Sequence, residues 1–344
     1  MAVRFGIVGC GTIGPFHIKG IKANENAELA AVCDIIPEKA KKIADEEDVP
    51  YYSSMDEMLR AEKLDVVNLC TPSSLHAEQA VLAASCGVNV LTEKPMAVTL
   101  ADCDRMIAAA EAAGVKLGCI FQRRVTEPFR SIKDWVEGGV IGRPLLGDMY
   151  CKYYRAQDYY DSAGWRGTVQ FDGGGAMMNQ SIHIVDLIRW YFGPVKTVFG
   201  FARTLARSIE VEDTCVACLE FASGAVGVIE GTTSVFPPTI PHRIELHGDK
   251  GSILIEGESL SRFEVEGENG EVIDRLEAPA GDIQAITKPT DIMVDGHIVQ
   301  IGDIARCVTE GGDPVVSGVE AREAVRLILA IYESSETGKP VSLL

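Results

Sequence analysis

Up to Phe121, short and almost wholly apolar runs alternate with longer segments of helical period. The runs are VRFGIV (3–8), ELAAVC (28–33), DVVNLC (65–70), VNVLTE (88–93) and KLGCIF (116–121), separated by stretches such as LHAEQAVLAASC and LADCDRMIAAAEAAG. Such alternation predicts βαβ units on a parallel sheet. Because the runs do not alternate apolar with polar, helices are expected on both faces, giving a doubly wound α/β architecture.

After Arg123 the pattern changes. A helix candidate (PFRSIKDWVEGG), a strand (LLGDMYCKYYR) and an amphipathic helix beginning near the glycines at 173–175 lead into successive strands: KTVFGFART, TCVACLEFA, AVGVIEGTT, HRIELHG and GSILIEG. Consecutive strands with few helices predict an α+β domain on a large, open, mainly antiparallel sheet. Two helices, HIVQIGDIARCVTEG and VEAREAVRLILAIYESSETG, close the chain, each with Gly at its end. The division expected is 1–122 for the parallel-sheet domain and 123–344 for the α+β domain, with the boundary near 121–125.

At 344 residues, two domains suffice, and 47% hydrophobic with 24% charged residues is ordinary globular composition. The balance of 32 Lys and Arg against 50 Asp and Glu, a net charge of −18, repels nucleic acid and anionic lipid at long range. No apolar run approaches the roughly 18 residues of a membrane span, and the N-terminus carries no secretory pattern, which points to the cytoplasm. Ten cysteines in that compartment are expected as free thiols. Cys215 and Cys218 form C-x-x-C in a strand candidate, where an offset of three sends them to opposite faces; buried core is expected there, and no metal.

Gly9-Cys10-Gly11-Thr12-Ile13-Gly14 follows the first strand candidate and opens a helix, and Asp34 ends the second strand 20 residues after Gly14. This is the context that makes a G-x-G-x-x-G turn a dinucleotide site of Rossmann type. Gly9 permits the tight turn, Gly11 lets backbone N–H groups of the Thr12–Ile13 turn approach a pyrophosphate, and Gly14 allows helix and strand to pack closely. Asp34 would accept from both ribose hydroxyls and repel a 2′-phosphate, so NAD is favoured over NADP. Two more strand ends carry polar clusters: Thr71-Pro72-Ser73-Ser74-Leu75-His76 and Glu93-Lys94-Pro95.

These residues, with WRGTVQFDGGGAMMNQSIHIVDLIRWYFG and the closing segment from Gly296, resemble the Gfo/Idh/MocA family of oxidoreductases, in the family's order and over essentially the whole chain. The resemblance implies that Lys94 lies near nicotinamide and substrate, where its ammonium can hold the reacting hydroxyl and lower the cost of alkoxide character. A surface ion pair with Glu93 is the plain alternative. It implies cofactor-lining roles for Thr71, Pro72, His76, Glu93 and Gln122, and for Trp165 and Arg166 of W-R-G, and assembly as a homodimer or homotetramer through the second sheet.

His183 occupies the family's D-x-x-x-H slot, and imidazole suits proton abstraction from a carbinol near neutrality. Asn179, four residues earlier, is expected on the same helix face and stands where many members carry Asp; an amide cannot accept the proton, which leaves proton transfer to His183 and Lys94. Asp186 is an anchor or ring-orienting partner. The segment Tyr153–Tyr160 mixes aromatic and polar groups suited to a polyol ring, with Arg155 and Tyr159 as substrate candidates and Arg155 open to a carboxylate or phosphate. The reading is an NAD(H)-dependent dehydrogenase interconverting alcohol and ketone on a sugar, cyclitol or sugar derivative. An NAD-dependent glycosidase using transient oxidation at C3 and a non-catalytic dinucleotide-sensing regulator are its rivals.

Overall fold

The first apolar run becomes β1 (Val3–Val8), with Phe5 and Ile7 wholly removed from solvent, as helices on both faces require. The computed structural model describes residues 2–238, 240–276 and 294–344. The chain continues through α1 (Gly14–Lys22), β2 (Ala27–Cys33), α2 (Pro37–Glu47), β3 (Tyr51–Tyr52), α3 (Met55–Ala61), β4 (Val66–Leu69), α4 (His76–Ser85), β5 (Asn89–Thr92), α5 (Leu100–Ala113) and β6 (Leu117–Cys119). All pairings are parallel, in the order β3-β2-β1-β4-β5-β6. The order therefore reverses between β1 and β4, where a doubly wound sheet opens its ligand crevice beyond the strand C-termini. The five expected runs are all strands; β3, two residues long, leaves no periodic trace.

Next come α6 (Phe129–Glu137), β7 (Pro144–Lys152), α7 (Gln157–Asp161), α8 (Val169–Asp172), α9 (Ile182–Phe192), β8 (Val195–Arg203), β9 (Thr214–Phe221), β10 (Val226–Thr232), β11 (Arg243–Gly248), β12 (Gly251–Glu256), β13 (Ser259–Glu266) and β14 (Val272–Asp274). The chain ends with α10 (Asp295–Glu310), α11 (Gly318–Thr337) and β15 (Val341–Ser342). The second sheet has the order β14-β13-β12-β11-β7-β10-β9-β8-β15. It is antiparallel throughout except that β7 and β10 run parallel, a pairing that requires a long connection such as the one through α7 to α9 and β8–β9. Burial alternates along β9: Cys215, Ala217, Leu219 and Phe221 face inward. The C-x-x-C thiols do point to opposite faces, but only Cys215 is core; Cys218 is exposed.

The chain divides into two compact units. One comprises the residues up to Val125 and a return segment ending at Val325; the other runs from Thr126 to β14 and takes Arg326–Leu344. α10, placed by sequence with the second half, belongs to the first unit. Its Ile301 and Ile304 complete the core formed by Phe5, Ile7, Ile18 and Ile21, and Asn24 Nδ2 donates to the Ile298 carbonyl at 2.9 Å. Gln300 closes the end of β6: its Oε1 accepts from Phe121 N–H at 2.9 Å and its Nε2 donates to the Cys119 carbonyl at 3.0 Å. Periodicity announces an amphipathic helix without saying which core its apolar stripe faces. No described helix is long and apolar enough to cross a membrane.

Gln300 serves two buried backbone groups at once. Gln300→Leu strands both, and is expected to cost about 2 kcal/mol or more, read as a lower urea midpoint for the transition of the first unit.

Candidate active site

The glycine turn follows β1 and leads into α1. Gly9 has φ 102°, and a Cβ there would lie 2.6 Å from the Cys70 carbonyl oxygen; at Gly14 a Cβ would lie 2.7 Å from the carbonyl oxygen of Gly9. Both glycines are demanded by the chain itself. Gly11 differs: a Cβ there meets nothing within 4 Å. Its lack of a side chain serves no protein contact, and it leaves exposed backbone at a helix N-terminus, which fits a pyrophosphate. Thr12 is exposed and Ile13 half-buried at the start of α1, where Pro15 needs no N–H partner. Asp34 is fixed beside the turn, its Oδ2 accepting from Cys10 N–H at 2.8 Å and its Oδ1 from Ile36 N–H at 2.9 Å. Each carboxylate oxygen keeps capacity for a ribose hydroxyl.

The loops after β4 and β5 are tied by His76, which is buried, with Nδ1 3.0 Å from the Pro95 carbonyl oxygen and Nε2 3.0 Å from that of Thr71. Burial lowers the pKa of this ring, and the two carbonyls oppose that. Thr71 Oγ1 donates to Gln79 Oε1 at 2.6 Å, with Pro72 following it. Lys94 is half-buried and precedes a cis Lys94–Pro95 bond. Glu93 is buried, not at the surface. Its Oε1 accepts from His17 Nε2 at 2.9 Å and from His297 Nε2 at 3.2 Å, and its Oε2 accepts from the Lys94 N–H at 3.2 Å. Its carboxylate thus faces the core. Gln122 opens a short turn after β6 and lies against Gly296 of α10.

In the second unit Tyr159 gathers the substrate candidates. The Arg155 guanidinium stands 5.6 Å from its ring centroid and that of Arg166 4.2 Å, with Arg166 also 4.7 Å from the Trp165 ring. Arg155, buried, donates to Gln180 Oε1 at 3.4 Å, and Gln180 Nε2 donates to Asn179 Oδ1 at 2.8 Å. Asn179 Nδ2 in turn donates to Asp172 Oδ1 at 3.0 Å, while Asp172 Oδ2 accepts from Gly167 N–H at 2.7 Å. The amide at 179 is therefore backed by a buried carboxylate seven residues earlier.

One expectation is corrected. Asn179 and His183 do not share an uninterrupted α-helix: residues 176–180 form a wide turn in which Ser181 N–H reaches the Ala176 carbonyl, five residues back, at 2.9 Å, and α9 begins at Ile182. At the entry to the wide turn stands Glu212, a buried carboxylate that accepts from Gly175 N–H and Met177 N–H, each at 2.7 Å, and from the Tyr332 hydroxyl at 2.9 Å. Those bonds fix the backbone at the turn's entry. Burial raises the Glu212 pKa, and the same bonds restrain the rise. His183 is half-buried on α9 and Asp186 is buried one turn later. Sequence reasoning passed over Asp172, Glu212, His17 and His297. Asp172 stands immediately before the glycines at 173–175, but neither its spacing nor its neighbours, several of them exposed, mark it as buried.

Two family models match the chain: the GFO/IDH/MocA oxidoreductase family with NAD-binding Rossmann fold matches residues 3–121, and the GFO/IDH/MocA C-terminal domain matches residues 129–254. The chain belongs to the Gfo/Idh/MocA oxidoreductase family. Its first unit is the family's NAD-binding domain. The chain is similar to the WlbA dehydrogenase from Bordetella pertussis, solved in complex with NADH and UDP-GlcNAcA, at 34% identity and TM-score 0.87, covering 100% of this chain and 99% of that one. The WlbA enzyme from Chromobacterium violaceum, solved with the same two ligands, is 33% identical with TM-score 0.88, covering 100% and 96%. Myo-inositol 2-dehydrogenase of Thermotoga maritima is 27% identical over 350 residues, covering 99% of this chain and 98% of its own.

Gly11→Ala is expected to leave the melting temperature unchanged, since nothing crowds the new methyl, while weakening NADH binding at least about tenfold because backbone can no longer approach the phosphates; fluorescence titration reads this. Asp34→Ala is expected to narrow the preference for NAD over NADP, read as the ratio of their dissociation constants, and an unchanged ratio removes Asp34 from ribose recognition.

Proposed function

We propose that this enzyme is an NAD-dependent dehydrogenase oxidising a secondary alcohol on a sugar derivative, with a nucleotide-linked sugar acid as the first class to test. The observation that carries the reading is the clustering of the glycine turn, Asp34, Thr71 and Lys94 at neighbouring strand ends of the NAD-binding domain. The sugar-acid class is supported by the buried Arg155 among aromatic rings and by the UDP-GlcNAcA held by two relatives of about one-third identity.

Gly9, Gly11 and Gly14 with the α1 N-terminus would hold the pyrophosphate, and Asp34 the ribose. Bound nicotinamide supplies the hydride acceptor. Lys94 is assigned to hold the carbinol oxygen and to stabilise the negative charge that develops on it. His183 is assigned the hydroxyl proton, a task for which a neutral imidazole is suited near pH 7. Asn179 orients a substrate hydroxyl, its own amide held by Asp172 and Gln180. Arg155 meets a carboxylate or phosphate, and Tyr159 and Trp165 offer apolar faces to the ring. Assembly through the exposed face of the second sheet, where Phe201, Val216 and Val226 are uncovered, belongs to the same proposal.

The test follows NADH absorbance with purified enzyme across nucleotide sugars, sugar acids, free sugars and inositols. A UDP-linked sugar acid is expected to give NADH, and Lys94→Ala to lower that rate at least about a hundredfold. Activity confined to inositols would overturn the substrate class, and a near-normal Lys94→Ala rate would remove Lys94 from the chemistry.

A further inference from the structure

Three buried titratable side chains from distant parts of the first unit meet beneath Lys94. His17 comes from α1, Glu93 from the end of β5 and His297 from α10, and their ligand-forming atoms lie within 4.8 Å of one another. The two imidazoles meet edge to face, with ring centroids 5.3 Å apart. Asn68 Nδ2 lies 3.0 Å from His17 Nδ1; with the amide donating there, His17 carries its proton on Nε2 and gives it to Glu93. His297 Nδ1 has no hydrogen-bond partner among the described residues, which favours a bare nitrogen there and the proton on Nε2, again directed at Glu93. The arrangement is a carboxylate accepting from two imidazole Nε2 groups. Burial disfavours that anion, yet the hydrogen bonds from His17 and His297 hold the Glu93 pKa well below the usual carboxylate range; burial likewise keeps His17 low.

A buried ionised carboxylate is a costly way to fill a core, since apolar side chains of similar volume do so at least as well. What this one does that they could not is hold a backbone N–H. Glu93 Oε2 accepts from Lys94 N–H, the Glu93 carbonyl accepts from Thr92 Oγ1 at 3.2 Å, and the Pro95 carbonyl oxygen lies 3.0 Å from His76 Nδ1. The backbone is pinned on both sides of the lysine.

We propose that Glu93, fixed by His17 and His297, is a positioning residue that sets the backbone from which Lys94 reaches the reacting oxygen, and that it ties this placement to α1 and α10. The proposal rests on the reading of Lys94 given above. Glu93→Gln tests it specifically: the amide oxygen can still accept from both rings, but the NH2 group then faces the Lys94 N–H, donor against donor.

The experiment uses the full chain and four variants, each checked for folding by circular dichroism: Glu93→Gln, His297→Leu, His297→Gln and Lys94→Ala. Labelling of the Lys94 amine by an acylating reagent across pH, read by mass spectrometry, needs no substrate; turnover is measured on the best substrate found. Glu93→Gln and His297→Leu are expected to change the Lys94 labelling rate at least about threefold, as loss of a buried hydrogen bond allows. They are also expected to lower kcat about tenfold or more with KM for NAD nearly unchanged, as for a misplaced reacting group. His297→Gln, whose amide nitrogen can stand in for Nε2–H, should recover both. Folded Glu93→Gln with parental labelling and kcat overturns the proposal, and His297→Leu decides it in the same way should Glu93→Gln not fold. One equivalent of zinc in the purified parent, lost in Glu93→Gln, overturns it as well, because the cluster is then a metal site. If Lys94→Ala turns over normally while labelling responds to Glu93→Gln, the catalytic reading of Lys94 fails and the positioning of its backbone stands.

Discussion

At Gly9 the first strand passes so close to Cys70 that only hydrogen fits between the two backbones. That contact is one of a set: Gly9 N–H bonds to the Cys33 carbonyl at 2.8 Å, and Cys70 N–H bonds to the Val8 carbonyl at 2.7 Å. The ends of β2, β1 and β4 are thereby joined into one hydrogen-bonded ledge. Asp34, the open backbone at Gly11 and Thr71 sit on its rim, each placed by the sheet's register and not by the free choice of a loop. Groups carried on sheet ends inherit the sheet's rigidity, and a ligand held there is placed with the precision of the strands.

The second unit solves a similar problem without parallel strand ends. There a single buried acid, Glu212, gathers two backbone N–H groups and a tyrosine hydroxyl at the entry to the turn preceding α9. Asp172 does the same for Gly167 and Asn179. Each carboxylate is short of water and rich in donors, so each is held by the backbone it organises. The wide turn at 176–180 is anchored at its entry by Glu212, which takes up the Gly175 and Met177 N–H groups that a helix start leaves without an internal acceptor.

What could be read beforehand follows from this contrast. The parallel sheet, the glycine turn and Asp34 were legible because their physics is local: apolar runs of strand length, glycines at fixed spacing, an acid at a strand end. β13, β14 and β15 were not anticipated. Ser259–Glu266 alternates weakly, and β14 and β15 span three and two residues, too few for a period. His17, Glu93 and His297 lie up to 280 residues apart in sequence, so no spacing rule unites them; only the packing of α10 on α1 does. Asn179 was legible as a departure from the family's usual acid, but the acid behind it, Asp172, required the folded turn.

The return of α10 bears on how the enzyme is made. Its apolar stripe seals a core whose members from the first half of the chain, Val3 to Ile120, were synthesised 181 to 298 residues before Ile301, and Gln300 caps a strand that ends at Cys119. During translation the nucleotide-binding half must wait, lacking one wall, while the larger sheet emerges. Completion of the first unit is therefore interleaved with synthesis of the second, and a cut after residue 125 parts the parallel sheet from the helix that completes its core.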